Sequence, residues 1–282
     1  MTGVKADGWR IRHDAPVNAM TIDRERTGWA GWIATARPRE HGSWSLALEP
    51  LVLGLAVAPS GAGLALAVAT LGAFFARRPL RLCWEGDSPE AAPAARALLL
   101  CSLVVVAAMG VAVILNGVVW LAWLLPPAAL GAVFLFHDLR RHGRAAPVEI
   151  AGAAAFAFLP AVLARLAGFP PASALALAAV CLARHVPTVL YVRARVRAQK
   201  TAAVSPAPAV LAAGLAFFGT YTLARTGLVP AAVAVLTGLL LVRTAWWLGP
   251  AGSRLTARTI GMIEAALGVL FVVLTAFTWM RP

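Results

Sequence analysis

The sequence predicts an all-α membrane protein, a single bundle of about nine transmembrane helices. Apolar residues make up 60% of the 282 residues, charged residues make up only 13%, and the mean hydropathy is +0.78. Soluble domains are about 45–50% apolar and about 25% charged. A soluble globule of this size could not bury so many apolar side chains, so the composition excludes a soluble domain and a disordered chain.

Residues 1–43 form a polar N-terminal tail, which we expect to be cytoplasmic or to lie on the membrane surface. The tail contains no apolar run of the length that a cleavable signal peptide has. Trp29, Trp32 and the arginines beside them suit a segment on the membrane surface, and a disordered tail explains the same composition equally well. Met20 is an alternative start of translation that the sequence does not distinguish from Met1.

Residues 44–282 are the predicted transmembrane domain, in which nine apolar stretches follow one another with short connections. One helical span needs about 20 residues, and the first two stretches are shorter than that. They are joined by the turn signal at 59–61, so either their polar flanks extend them or they form a hairpin that crosses only in part. The stretches are 44–58, 61–76, 94–115, 118–137, 148–167, 171–191, 207–224, 228–247 and 258–279.

The distribution of positive charge predicts the orientation of the bundle. Lysine and arginine number 25 against 12 acidic residues, which gives a net charge of +13. With nine spans, 21 of those 25 cationic residues are counted with the tail and with the loops after the second, fourth, sixth and eighth stretches. Arg243, near the end of the eighth stretch, is counted with the loop that follows it. The positive-inside rule makes that side cytoplasmic. We therefore expect a multi-pass protein of the inner (plasma) membrane, with its N-terminus in the cytoplasm, its C-terminus outside and no nucleic-acid partner.

Four ionisable residues are predicted inside the membrane, where such groups are costly and usually face the bundle interior. Glu49 lies in the first stretch, Arg184 and His185 in the sixth, and Glu264 in the ninth. Counted at 1.5 Å per residue, each lies roughly 8–11 Å below the cytoplasmic face. The sequence therefore predicts that three helices bring titratable groups to one depth.

A basic stripe continues from this depth towards the cytoplasm. Arg184, Tyr191 and Arg195 have spacings that place them on one helix face. Pro187 interrupts that helix, and interrupted helices are common beside membrane sites. Further arginines follow the second and sixth stretches at the same interface, and arginine binds phosphate through paired hydrogen bonds. Those arginines are Arg77, Arg78, Arg81 and Arg193.

Two interpretations of the stripe remain open. In the first, Arg184 pairs with Glu49 or Glu264 to join helices, and the outer arginines are solvated anchors. In the second, the arginines line a basic cavity that is open to the cytoplasm and binds an anionic headgroup. The three cysteines, Cys83, Cys101 and Cys181, are too far apart to indicate a metal site or a disulfide framework.

Several of these segments resemble YwiC-like membrane proteins, a family without an assigned activity. The resemblance covers residues 37–280. It rests on PREHGSW at 38–44, EPLVLG at 49–54, RRPL at 77–80, YVR at 191–193 and IGMIE at 260–264.

A more distant resemblance is to the UbiA superfamily of intramembrane prenyltransferases. It rests on RP at 37–38 ahead of the first stretch and on EIAGAAAF at 149–156. This resemblance implies nine helices, a cytoplasmic N-terminus and a cavity facing the cytoplasm. UbiA enzymes hold Mg²⁺ on a prenyl diphosphate with aspartate-rich motifs after helices two and six, where this sequence has arginines. No metal ligands carry over, so Mg²⁺ is not supported and we predict no cofactor.

The resulting hypothesis is a UbiA-like membrane protein that binds an isoprenoid or lipid (di)phosphate, with membrane lipids as partners. Whether it is a divergent transferase or has no catalytic activity stays open. Two alternatives are a non-catalytic accessory or assembly subunit and a carrier of small anions. The acid–base candidates are His41, Glu49 and Glu264. The ligand-binding candidates are Arg77, Arg78, Arg81, Arg184, His185, Tyr191, Arg193 and Arg195.

Overall fold

A computed structural model describes residues 41–86, 90–143, 145–199, 204–249 and 256–280, with the backbone alone at 41–43 and at 257. The tail predicted for residues 1–43 therefore lies almost wholly outside the described residues. In the described ranges the chain forms ten α-helices and one 3₁₀-helix. The helices are α1 (His41–Val57), α2 (Gly61–Glu85), α3 (Ala91–Asn116), a 3₁₀-helix (Val119–Leu124), α4 (Leu125–Leu139), α5 (Ala146–Ala157), α6 (Leu159–Leu166), α7 (Pro171–Ala198), α8 (Ala207–Arg225), α9 (Ala231–Leu248) and α10 (Ala257–Trp279).

The predicted all-α class is confirmed, and each of the nine predicted stretches coincides with one helical segment. Eight segments of the described chain are long and apolar enough to cross a membrane, and Trp44–Val57 is a shorter apolar helix. The 3₁₀-helix continues into α4 as one such segment, and α5 continues into α6 as another. The α5–α6 break follows from Pro160, which stands in the first turn of α6 and cannot donate a backbone hydrogen bond to α5.

Two helices are longer than the sequence predicted. Helix α2 continues to Glu85 and α7 to Ala198, so the arginines at 77–81 and 193–195 lie in helices and not in loops. The prediction ended each helix where the apolar run stopped. Arginine is a good helix former, however, and its long side chain reaches polar surroundings from a helical backbone. The additional turns extend both helices beyond the apolar stretch at the same end of the bundle.

The bundle has an inner group of helices, α1 and α5 to α7, surrounded by the others. Helix α1 packs against α6, α5 and α10, and α7 packs against α5, α6 and the α8–α9 hairpin. Alanines pack these helices closely, and Ala157, Ala164 and Ala174 are fully buried in the main core. Small residues allow the close helix approach on which packing in membranes depends.

Helix α3 belongs to the outer group and packs on α2. Its other side exposes large apolar side chains, among them Leu103, Val106 and Ile114. An apolar surface of this extent is not compatible with contact with water and is typical of a lipid-facing helix. The exposed outer surface and buried inner helices together describe a membrane-spanning bundle.

Candidate functional site

Arg184 is the centre of a buried group of charges in the described part of the bundle, and only 2% of its surface is exposed. Its Nε lies 3.5 Å from Glu49 Oε2, and its Nη1 lies 3.3 Å from Glu264 Oε2. Its Nη2 donates a 2.8 Å hydrogen bond to the backbone oxygen of Glu264, and Nη1 also donates to the Thr188 hydroxyl. One guanidinium on α7 therefore joins α1 and α10.

Glu264 receives a second guanidinium from the neighbouring helix. Arg243 on α9 places Nη1 2.6 Å from Glu264 Oε1. Glu49, Arg184, His185, Arg243 and Glu264 together form what we refer to as the ionic cluster. The two arginines balance the two carboxylates when His185 is neutral, which is how a low-dielectric interior accommodates charges.

The Glu49 carboxylate lies in a tight space between three helices. Ser45, one turn earlier on α1, donates a hydrogen bond to Oε1. His185 Nε2 lies 3.7 Å from Oε2. On α10, Gly268 leaves room for the carboxylate, because a Cβ at that position would overlap its oxygens. The absence of a side chain at Gly268 is therefore what permits Glu49 to reach Arg184.

A small cavity adjoins the cluster at the ends of α7 and α9 and the beginning of α10. It is lined by Tyr191, Arg243, Trp247, Ile260, Ile263 and Glu264, and its volume is about 20 Å³. The Arg243 guanidinium carbon lies 4.1 Å from the centre of the Tyr191 ring. Arg195 donates a 2.9 Å hydrogen bond to the backbone oxygen of Trp247. A cation, an aromatic ring and apolar side chains thus meet at one opening.

Comparison with known proteins gives a match to a protein family in the first part of the chain. Among curated proteins and among solved structures nothing matches. Of the protein families, one model, described as "YwiC-like protein", matches residues 38–164. Residues 38–164, slightly less than half of the chain, are therefore similar to YwiC-like proteins. The predicted resemblance to this family is confirmed over those residues, and the more distant resemblance to UbiA proteins stays a prediction.

The ionic cluster is divided between the YwiC-like segment and the rest of the chain. Glu49 lies inside the segment, whereas Arg184, His185, Arg243 and Glu264 lie after it. The structure brings together Glu49, Glu264, Arg184 and His185, as their predicted common depth required. The first of the two interpretations is correct for Arg184, which contacts both Glu49 and Glu264. It is wrong for Arg193 and Arg195, which are not solvated anchors: Arg193 pairs with Glu149, and Arg195 is buried.

The three arginines of α2 each contact a carboxylate within the YwiC-like segment. Arg77 makes a two-pronged contact with Asp138 of α4, with distances of 2.8 and 3.0 Å. Arg78 lies 3.7 Å from Glu90, and Arg81 lies 4.0 Å from Glu85 on its own helix. Among the described contacts, Arg77 therefore joins α2 to α4, Arg78 reaches the residue before α3, and the Arg81 contact stays within α2.

Arg193 on α7 contacts a different carboxylate. Its Nη1 lies 2.8 Å from Glu149 Oε2 at the beginning of α5. Arg77 and Arg193 therefore contact two different carboxylates, Asp138 and Glu149, and do not converge on one position. Of the predicted ligand-binding residues, Tyr191 lines the cavity, and Arg195 contacts Trp247, which also lines it.

The predicted acid–base candidates have different surroundings. Glu49 and Glu264 are buried in the ionic cluster, with 8% and 6% of their surface exposed. His41 is the first residue of α1, and its side chain lies outside what the structure describes. Among the described residues, no group of three or more His, Cys, Asp or Glu is placed to hold a metal ion.

Sequence reasoning did not single out several residues of the observed geometry, and Arg243 and Asp138 are the two charged ones that it misplaced or passed over. Arg243 was assigned to the loop side of the eighth stretch, although it lies inside α9. Its position before Thr244 and the two tryptophans at 246–247 is the signal that could have placed it in the membrane. Asp138 was not singled out. A lone aspartate at the end of an apolar helix predicts a partner of opposite charge.

Proposed function

We propose that this protein binds the phosphate-bearing headgroup of a membrane lipid, with isoprenoid phosphates as the ligand class, at the cavity beside Arg243. The observation that supports it is the lining: the Arg243 guanidinium and the Tyr191 ring share the opening with Ile260 and Ile263. An amphipathic ligand needs this combination, because its anionic head requires a cation and its chain requires apolar contacts.

Arg243 has a hydrogen-bond donor, Nε, that the described structure leaves unused. Its Nη1 contacts Glu264, and within the described structure its buried Nε makes no hydrogen bond. Arg195 lies with its guanidinium carbon 5.9 Å from the centre of the Trp247 ring and is also buried. Guanidinium groups bind phosphate oxygens through paired, charge-assisted hydrogen bonds. We therefore assign the headgroup to Arg243 and Arg195, with Tyr191 and Trp247 beside them.

The cavity must enlarge for a phosphate to enter. A volume of about 20 Å³ holds about one water molecule, since roughly 10–15 Å³ suffices for one. In this proposal, rotation of the Trp247 side chain, which stands at the end of α9 and lines the cavity, opens the site. In this proposal the tail of the lipid lies along the exposed apolar surface of α9 and α10, where Leu239 and Met262 face outward.

The proposal also places this site at the cytoplasmic side. Helices α7 and α9 end there, and α1 and α10 begin there. The predicted positive-inside orientation makes that end cytoplasmic. Arginine-rich turns on the same side supply a surface that attracts anionic headgroups before they bind.

A binding measurement with matched ligands tests the proposal. The purified protein in detergent is titrated with a fluorescent short-chain polyprenyl phosphate, with the corresponding polyprenol, and with inorganic phosphate. We expect the polyprenyl phosphate to bind at least about tenfold more tightly than the polyprenol, because charge-assisted hydrogen bonds contribute about 1.5–3 kcal/mol each. Equal binding of the two isoprenoids would contradict the proposal, and tight binding of inorganic phosphate would assign the site to a free anion.

Two variants on one helix provide the control. Arg195→Gln removes the buried guanidinium beside the cavity, whereas Arg197→Gln removes an exposed arginine two residues later. We expect only the first to weaken binding of the polyprenyl phosphate, and the triple variant Tyr191→Phe, Arg193→Ala, Arg195→Ala to weaken it further. Unchanged binding by the triple variant would overturn the proposal. Anion flux into proteoliposomes that depends on Arg184 would instead favour a carrier, and stable co-purification with a membrane enzyme would favour an accessory subunit.

A further inference from the structure

The imidazole of His185 has one nitrogen satisfied and one that faces a carboxylate. Nδ1 lies 2.7 Å from the backbone oxygen of Cys181, one turn earlier on α7. A carbonyl oxygen can only accept a hydrogen bond, so Nδ1 carries a proton and Nε2 is the nitrogen that gains or loses one. Nε2 is buried and makes no hydrogen bond in the described structure.

The group opposite Nε2 is the Glu49 carboxylate, whose Oε2 is 3.7 Å away. Without a proton between them, the imidazole lone pair and the carboxylate oxygen are two acceptors facing each other. One proton converts this contact into a hydrogen bond, whichever of the two groups holds it. A movement of less than about 1 Å brings the two atoms to hydrogen-bonding distance.

From this arrangement we infer that His185 Nε2 and Glu49 Oε2 form a proton-binding site inside the membrane. The site adjoins the lipid headgroup site proposed above, because Arg243 and Glu264 belong both to the ionic cluster and to the cavity lining, but the inference does not depend on lipid binding. The proton is the only ligand required: it comes from solution, forms an N–H bond with Nε2 or an O–H bond with Oε2, and returns to solution when that bond breaks.

The surrounding charges make this proton exchangeable. Arg184 of α7 and Arg243 of α9 repel an added positive charge, whereas Glu264 of α10 attracts it. Ser45 of α1 donates a hydrogen bond to the other oxygen of Glu49 and favours the ionised carboxylate. With the proton bound, the cluster has a net charge of +1. Burial in the low-dielectric interior opposes charge on both groups, and a proton between them neutralises the carboxylate. We therefore expect the pair to bind and release a proton.

Magnetic resonance of the histidine side chains tests this inference on the whole protein. The chain has five histidines, so His13, His41, His137 and His142 are changed to Gln to leave His185 alone. The ¹⁵N-labelled protein in detergent is then titrated between about pH 3 and 9, a range that extends well below ordinary histidine titration. We expect the Nε2 resonance to pass through one transition while the Nδ1 resonance remains that of a protonated nitrogen.

Two further variants assign the transition. Glu49→Gln removes the charge that attracts the proton, so the Nε2 transition should move to lower pH by more than about one unit. Glu85→Gln changes an exposed glutamate and should leave the transition where it is. An Nε2 resonance that does not change with pH would overturn the inference. A transition that is the same in the Glu49 and Glu85 variants would also overturn it. If Glu49→Gln does not fold, the titration of the single-histidine protein still tests whether His185 takes part in binding a proton.

Discussion

Arg184 contacts both the side chain and the backbone of Glu264, with Nη1 3.3 Å from Oε2 and Nη2 2.8 Å from the backbone oxygen. The backbone contact fixes the position of α10 against α7, since it does not depend on the rotamer of Glu264. Through Glu49 the same guanidinium holds α1. Three helices that are distant in the sequence are therefore joined by one side chain.

Loss of Arg184 should destabilise the bundle severely. Arg184→Met would leave Glu49 without its arginine and Glu264 with Arg243 alone, and breaking a buried pair costs about 3–5 kcal/mol. The apparent free energy of unfolding, measured by titration with SDS in mixed micelles, should fall by about that amount. Arg140→Met is the matched control, because Arg140 is exposed. Equal stability of the two variants would show that the cluster does not hold the helices together.

A methyl group at Gly268 should separate α1 from α10. Gly268→Ala places a Cβ on the Glu49 carboxylate, so either the helices move apart or Glu49 leaves Arg184. Gly261→Ala on the same helix meets no atom within 4 Å and should be neutral or stabilising by up to about 1 kcal/mol, the difference in helix propensity between Gly and Ala. The two variants are compared by thermal unfolding in detergent. The account fails here if Gly268→Ala is as stable as Gly261→Ala.

The Arg77–Asp138 pair should show measurable coupling. Its two-pronged geometry and the burial of Asp138 distinguish it from the pair between Arg141 and Glu85, in which the Arg141 side chain is 77% exposed. The coupling energy is measured in double-mutant cycles that combine Arg→Gln with Asp→Asn in the first pair and with Glu→Gln in the second. It should be about 1–2 kcal/mol for the first pair and close to zero for the second. Similar coupling energies for both pairs would count against a structural role of Arg77.

A hydroxyl pair should join α8 to α9. Thr220 Oγ1 and Thr237 Oγ1 lie 2.6 Å apart, and both residues are buried. A cycle of Thr220→Val and Thr237→Val should give a coupling energy of about 0.5–1 kcal/mol, which is usual for hydrogen bonds between membrane helices. Thr222→Val, on an exposed face of α8, should show no coupling to Thr237→Val. Coupling of equal size in the control cycle would contradict a direct bond.

The helices could be located from the sequence, because each span of a bilayer requires a long apolar segment. The nine apolar stretches are the segments of the chain that meet this requirement. The sequence was also sufficient to bring Glu49, Arg184 and Glu264 to one depth, since alternating spans make depth a matter of counting residues. Which groups pair at that depth depends on how each helix is rotated. Arg77 and Asp138 are 61 positions apart, and their pairing follows from the packing of α4 beside α2, for which the sequence has no local signal.

The boundaries of α2 and α7 could not be predicted from hydropathy for a related reason. Arginine ends an apolar run without ending a helix, and both helices continue through Arg77 and Arg193. For the same reason, the charge count assigned Arg243 to a loop, although it lies inside α9. Interfacial arginines therefore have to be read first as members of the helix that precedes them.

Native mass spectrometry of the protein, purified gently with its bound lipids, tests the central claim of lipid-phosphate binding most directly. We predict that the wild-type protein retains a phosphate-bearing lipid, with an isoprenoid chain as the expected class. Arg195→Gln should lose that lipid, while Arg197→Gln should keep it. Retention of no phosphate-bearing lipid by the wild type, or equal retention by the Arg195 and Arg197 variants, would contradict the account.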